Sequence, residues 1–143
     1  RWTKHNLFQY ELKIPMIISS PKYKKNKTSE SFVELVDLYP TFCEIAGLEI
    51  PSFAQGKSLI DNLKNPKKIT NDIAFSRWQN GETLISNKYY YTEWSRKGNL
   101  THRMLYDIEN DELQMNNIAE IKSEKSIVDS LSSILNKHIK SIN

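Results

Sequence analysis

The sequence predicts an α/β chain in two parts. Residues 1–70 read as a short buried strand, an exposed loop and two helices, and residues 71–143 as a four-stranded antiparallel sheet with a packing C-terminal helix. Three observations predict this. Ile14-Pro15-Met16-Ile17-Ile18-Ser19 is a near-continuous apolar run, too short for a core helix and typical of buried strands in parallel sheets. Residues 73–108 follow period two, are rich in aromatics and are cut by turn residues. Residues 123–142 carry a single apolar helical stripe.

The opening eleven residues, Arg1-Trp2-Thr3-Lys4-His5-Asn6-Leu7-Phe8-Gln9-Tyr10-Glu11, put a lysine, a histidine and an amide just ahead of the apolar run. The abrupt start, with no initiating methionine, suggests a piece of a longer polypeptide broken close to its chemistry. Pro15 lies near the start of the expected strand, where a missing N–H is best tolerated. Residues 20–31 are polar and carry Lys22, Lys24, Lys25 and Lys27, so they read as an exposed loop. A helix is expected over residues 38–46. Asp37 is a good N-cap, Pro40 falls in the first turn, and Gly47 suits the left-handed position that ends a helix. Leu38, Phe42, Ile45 and Ala46 form its apolar face. Gly56-Lys57-Ser58 invites a phosphate-loop reading, but Pro51 stands where the first glycine of that motif belongs. Ser58 capping a short helix, Leu59 to Leu63, is the plainer account.

Strands are expected at residues 73–78, 82–85, 89–94 and 102–108, with reversals at Asn80-Gly81, Ser86-Asn87-Lys88 and Gly98-Asn99. In the last segment Ile127, Val128, Leu131, Ile134, Leu135, Ile139 and Ile142 share one stripe. Ser123 can cap that helix and Glu124 favours its N-terminus. Its apolar face is expected to cover one side of the meander.

Composition bounds the function classes. A chain of 143 residues with 38% hydrophobic content can bury a core. A net charge of +3 is too weak to argue for nucleic acid. No segment approaches the about 18 apolar residues that a bilayer span needs, so neither nucleic acid nor a membrane is an expected partner. No leader peptide is visible, which for a piece of a longer chain leaves the parent undefined. Cys43 is the single cysteine; it cannot form an internal disulfide and reads as a small buried hydrophobe.

Several pieces together resemble the sulfatases, in the branch that includes iduronate-2-sulfatase. They are Trp2-Thr3-Lys4-His5-Asn6-Leu7-Phe8, Lys13-Ile14-Pro15-Met16-Ile17, Val33-Glu34-Leu35-Val36-Asp37-Leu38-Tyr39-Pro40-Thr41, Ala46-Gly47-Leu48 and Gln55-Gly56-Lys57-Ser58-Leu59. Tyr91-Thr92-Glu93-Trp94, Leu105-Tyr106-Asp107-Ile108-Glu109-Asn110-Asp111 and Asn117-Ile118-Ala119 complete the ordered set over about the first 120 residues. The resemblance implies an alkaline-phosphatase-like α/β fold. Residues 1–70 would be the C-terminal end of the catalytic domain, and residues 71–143 the small C-terminal subdomain. It implies hydrolysis of sulfate esters by a formylglycine nucleophile beside a calcium ion, both in the full-length parent and neither held by this chain. The implied partners are a sulfated small-molecule or glycan substrate and an N-terminal catalytic domain. The implied compartment is periplasmic, extracellular or lysosomal. Cys43 is followed by Glu44-Ile45-Ala46, so it is not the nucleophile.

One functional position carries over. Lys4 matches the lysine that the family places on the substrate sulfate. Chemically this is sound: a lysine ammonium offers three donors to charged oxygens, and negative charge builds on the leaving oxygen as the S–O bond breaks. His5 either touches the leaving group or orients Lys4. His102, at the start of the fourth expected strand, is a candidate sugar contact or an exposed turn residue. Arg77, Trp78 and Trp94 either face carbohydrate or pack across the meander. Two rivals stay open: a phosphodiesterase or phosphonate hydrolase of the same superfamily, and a non-catalytic carbohydrate-binding module with an exposed Trp78 or Trp94.

Overall fold

The computed structural model describes residues 5–23 and 25–142. In chain order its elements are α1 (Gln9–Leu12), α2 (Leu38–Ala46), α3 (Ile60–Lys64), β1 (Ile73–Trp78), β2 (Gly81–Ser86), β3 (Tyr89–Arg96), β4 (Asn99–Asp107) and α4 (Lys125–Ile142). Short 3₁₀ turns, Leu35–Asp37 and Lys122–Glu124, lead into α2 and α4. One compact unit joins the chain up to Pro15 with everything from Phe75 onward, and Met16–Ala74 forms the other.

The first unit is built on the expected meander, in the order β1-β2-β3-β4. Its register puts Leu84, Tyr91 and Leu105 in one row across three strands. Side chains directly opposite share a face, so this row is a ready-made apolar surface. The buried residues of α4, Val128, Leu131 and Leu135, recur every three or four positions along one face of the helix. That helix packs on β2 and β3. Glu93, in the same face as Tyr91, accepts a hydrogen bond from the Tyr91 hydroxyl at 2.7 Å and lies 3.5 Å from the Asn136 amide of α4. The opposite face carries Thr83 beside Thr92, their hydroxyls hydrogen-bonded at 2.9 Å, and Ile85, Tyr90 and Tyr106 in a row. It is covered by the opening segment, with Phe8 6.1 Å from the Tyr106 ring. Coverage on both faces explains why Tyr90 and Tyr91 are both buried.

Turn chemistry moves two boundaries by one residue. The reversals are Gln79-Asn80 and Lys97-Gly98, not Asn80-Gly81 and Gly98-Asn99. Lys97 and Gly98 both have positive φ, 51° and 78°, the signature of a two-residue hairpin turn whose twist matches the strands. β4 begins at Asn99, and His102 lies inside the strand rather than at its start. The outer edge of β4 is closed by residues 117–119: Asn117 Oδ1 accepts the Leu105 N–H at 2.9 Å, and the Ile118 N–H bonds Leu105 O at 2.9 Å. Such cover removes a row of backbone groups that would otherwise invite another strand. α4 starts at Lys125, because Ser123 falls in the preceding 3₁₀ turn and spends its hydroxyl on Glu124 Oε1.

The second unit departs further from expectation. Ile14–Ile18 forms no strand, and Ile17 is 92% exposed. A strand needs a neighbour to pair with, and the strands among the described residues all belong to the meander. α2 runs over the expected residues and ends as expected. Gly47 sits at φ 71°, the Leu48 N–H returns to Cys43 O at 2.8 Å, and the Gly47 N–H reaches Glu44 O at 3.1 Å. Its buried face is a different one, made of Pro40, Thr41 and Cys43, while Phe42 and Ala46 are exposed.

Hydrogen bonding explains the rotation. The Thr41 hydroxyl donates to Asp37 O at 2.6 Å and accepts the Leu59 N–H at 2.8 Å. Asp37 does not cap α2 through its side chain. Its carboxylate accepts the Glu34 and Lys57 N–H groups instead, each at 2.8 Å. Polar groups that are buried must be paired, and pairing these two fixes which side of α2 turns inward. Ser58 accepts the Ile60 N–H at 3.3 Å at the start of α3. No described helix is long and apolar enough to cross a membrane.

Candidate functional site

The candidate site is built on the opening segment and the sheet corner beneath it. Asn6 fixes the turn. Its backbone N–H and its side-chain amide both donate to the Glu11 carboxylate, and its own Oδ1 accepts the Phe8 N–H at 3.0 Å. Glu11 is only 9% exposed, so this clamp is largely shielded from water. Leu7, 2% exposed, then drops onto the sheet. The position that receives it is Gly81, where an added Cβ would stand 2.7 Å from Leu7 Cδ1 and 2.7 Å from Trp94 Nε1. Gly81 is thus required for a close approach, not for the turn.

His5 lies just before this clamp. It is exposed, and its imidazole stacks on Trp78, with centroids 5.0 Å apart and planes 8° from parallel. That separation lies within the 4.5–7 Å range of favourable ring pairs. Trp78 ends β1, next to Gln79, which adopts φ 52°. The Arg77 and Glu82 side chains form an ion pair across this hairpin. Asn80 ties the turn to β3, its carbonyl accepting the Ser95 N–H at 2.9 Å and its side-chain amide donating to Ser95 O at 3.0 Å.

The other predicted positions are placed as follows. Lys4 lies outside the described residues. His102 is exposed on β4, opposite Trp94 and in the row that begins at Gly81. Three strand spacings, about 14 Å, separate β4 from β1, so His102 is not brought to the His5–Trp78 pair. Trp94 is half-buried against Gly81, in the cross-strand packing role. Cys43 is buried in α2. Among the described residues no three His, Cys, Asp or Glu side chains converge as metal ligands. The described residues therefore do not fit a calcium site.

Sequence reasoning did not single out Glu11 or Gly81. Glu11 is five residues from Asn6, a spacing with no regular-structure meaning, so its pairing is visible only in the fold. Gly81 was legible as a glycine and was assigned to the turn. Nearby, the Tyr90 hydroxyl is buried without a hydrogen-bond partner among the described residues, and burial raises its pKa above the ordinary phenol range.

Comparison with known proteins gives this geometry a context. The family described as N-sulphoglucosamine sulphohydrolase, C-terminal, matches residues 1–141. An N-acetylglucosamine-6-O-sulfatase from Bacteroides thetaiotaomicron is 34% identical over 124 residues, covering 78% of this chain and 22% of that protein. The solved structure of BT1596, a 2-O GAG sulfatase, superposes with a TM-score of 0.61 at 27% identity, covering 74% of this chain and 24% of that one. A phosphonate monoester hydrolase from Silicibacter pomeroyi superposes with a TM-score of 0.77 at 20% identity, covering 87% of this chain and 28% of that one, a likeness of fold alone. The chain thus spans between 22% and 28% of the length of these three proteins.

Proposed function

The chain belongs to the N-sulphoglucosamine sulphohydrolase C-terminal family, and from that premise we propose that it is the C-terminal region of a sulfatase that hydrolyses sulfate esters of glycans. Within the family, the order of its motifs supports the iduronate-2-sulfatase branch. Lys4 contacts the substrate sulfate and stabilises the charge that grows as the S–O bond breaks. His5 stands beside it, at the leaving group or orienting Lys4. His102 meets the sugar farther along the sheet. The nucleophile and calcium belong to the remainder of the enzyme, so this chain alone is inactive.

One observation carries the reading. The family match runs through the opening segment, and that segment is folded as a cover on the sheet, clamped by Glu11 and seated on Gly81. The name of the Bacteroides thetaiotaomicron relative supports a sulfated amino sugar as the substrate class. The exposed Tyr39, Phe42 and Phe53 of the Met16–Ala74 unit support an apolar partner surface, which we assign to the catalytic domain.

Fold alone does not choose between sulfate and phosphonate chemistry. The test is therefore an assay of the complete polypeptide, and of this chain by itself, on sulfate, phosphate and phosphonate esters. We expect turnover of sulfate esters by the complete polypeptide and none by the chain alone. Preference for phosphonate esters would replace the reading with its superfamily rival. Glycan binding by the isolated chain, unaffected by Lys4→Ala, would favour a binding module. Against that module, Trp78 already gives one ring face to His5 and Trp94 packs on Gly81.

A further inference from the structure

We infer that Tyr10, Leu113 and Met115 are a docking surface of the sheet unit, and that its occupant is the catalytic region of the parent polypeptide; this rests on the sulfatase reading above. All three residues belong to the same compact unit. At this place the usual burial pattern is inverted. Tyr10, Leu113 and Met115 are 73%, 79% and 75% exposed, while Gln114, between the last two, is 6% exposed. A buried polar side chain flanked by two exposed apolar ones is the reverse of what burial favours.

Hydrogen bonding holds the inversion in place. The Asp111 carboxylate accepts the Met115 N–H at 2.9 Å and the Asn116 N–H at 2.8 Å, and Asp111 O accepts the Gln114 N–H at 3.0 Å. Gln114 adopts φ 53°, in the left-handed region that residues with a side chain disfavour. Its Oε1 accepts the Gln9 N–H at 2.6 Å, which ties the turn to α1. Leu113 and Met115 are thereby presented outward on a fixed turn. Tyr10 is held as well: its ring stacks on Phe8 with centroids 6.3 Å apart, and Phe8 in turn meets Tyr106 of β4.

The surroundings select the occupant. A cavity of about 230 Å³ is lined by Tyr10 and Leu113, with Lys13 and Glu112 also in its wall. It is smaller than the about 300–1,000 Å³ of pockets that enclose small molecules, and suits apolar side chains projecting from a protein surface. Lys13 and Glu112 cancel in charge, and Asp107, Glu109 and Asp111 make the adjoining turn acidic. A sulfated glycan is a polyanion and is repelled there, whereas an apolar protein surface is not. The neighbouring chain needs the same kind of partner. Ile14, four residues after Tyr10, is exposed and opens an apolar run with no strand partner among the described residues. The chain spans 22% to 28% of the proteins compared above, so on the sulfatase reading about three-quarters of the polypeptide is available to cover this surface.

The test is made on the complete polypeptide. With p-benzoylphenylalanine in place of Leu113, irradiation followed by peptide mapping should give a cross-link within one molecule, to a peptide upstream of this chain. In the unmodified polypeptide, peroxide should oxidise Met115 roughly tenfold more slowly than a short exposed methionine peptide in the same tube, with or without a sulfated glycan.

Oxidation of Met115 at the reference rate, or no cross-link to protein, would overturn the inference. A cross-link between two molecules, seen as a band of doubled mass, would overturn it in favour of a second copy. Protection that appears only with the glycan would overturn it in favour of a substrate platform. Should the modified polypeptide fail to fold, Met115 oxidation in the unmodified one still decides the case. If the unmodified polypeptide turns over no sulfate ester, the sulfatase reading itself fails, and the two failures are told apart.

Discussion

The two units of this chain are stabilised in opposite ways. The sheet unit buries large apolar and aromatic side chains between two covers: Leu84, Tyr90, Tyr91, Leu105 and Leu135 are each at most 1% exposed. The Met16–Ala74 unit buries Asp37, Thr41, Ser31 and Asn62, while Leu35, Phe42, Leu48 and Phe53 lie more than half exposed. Beside the buried Leu59 and Ile60, each 3% exposed, its order draws on paired polar groups, among them the Ser31 hydroxyl, which accepts the Thr70 N–H at 2.8 Å, and Thr70 Oγ1, which donates to Asn62 Oδ1 at 2.7 Å. Apolar burial supplies the main driving force for folding, whereas a paired hydrogen bond nets only about 1 kcal/mol. The contrast teaches that the sheet unit closes its core between two covers, whereas the other unit leaves large apolar side chains exposed.

Leu84→Ala should break the comparison most severely. It removes a fully buried side chain facing Tyr91, and a loss of roughly 2–5 kcal/mol is expected in urea unfolding, with protection from hydrogen exchange falling first in β2 and β3. Gly56→Ala should be the largest single insult to the other unit. Its Cβ would stand 2.2 Å from Val36 O, and backbone, unlike a side-chain tip, cannot swing aside. A cost of about 1–3 kcal/mol is expected, with exchange rising around residues 34–41 and 57–59.

Phe42→Ser sharpens the contrast from the other direction. This side chain is 59% exposed, so the melting curve should move by less than about 0.5 kcal/mol while binding of a hydrophobic dye falls. A large destabilisation would mean that Phe42 is part of a core after all.

The smallest expected effect is a pH dependence from His138, which stacks on Phe75 with centroids 3.7 Å apart. Burial is the main reason that its pKa lies below the ordinary 6.5. The unfolded chain therefore binds this proton more readily than the folded one. The resulting stability is fully present above pH 6.5 and declines as pH falls below it toward the folded value. Comparing urea midpoints at pH 7.5 and 5.5 for the wild type and His138→Gln should show a shallower loss in the variant, about as small as surface effects usually are.

How much was legible in the sequence follows from the same contrast. The meander and α4 were legible because their burial is periodic, and period two or 3.6 is what sequence patterning records. α2 was legible at both ends, since Pro40 and Gly47 mark them chemically. Its buried face was not legible. Pattern reading assumes that apolar residues turn inward, and here Thr41 and Asp37 do so because each finds partners far along the chain, at Leu59 and Lys57. Ile14–Ile18 misled for a related reason: an apolar run states a preference for burial, not that a neighbour is present to provide it. At the candidate site the motif gave Lys4 and His5 their roles by resemblance. The fold added Glu11 and Gly81 and gave Trp78 its partner, through contacts five to seventy-four residues away.

The central claim is that the opening segment is the lip of a sulfate site with Lys4 as its working cation. Steady-state turnover of a sulfate ester by the complete polypeptide carrying Lys4→Ala tests it most directly. We expect a fall in kcat on the order of 100-fold or more, with the melting temperature unchanged. A variant that keeps the wild-type rate within about twofold, well under the smallest expected loss, would contradict it.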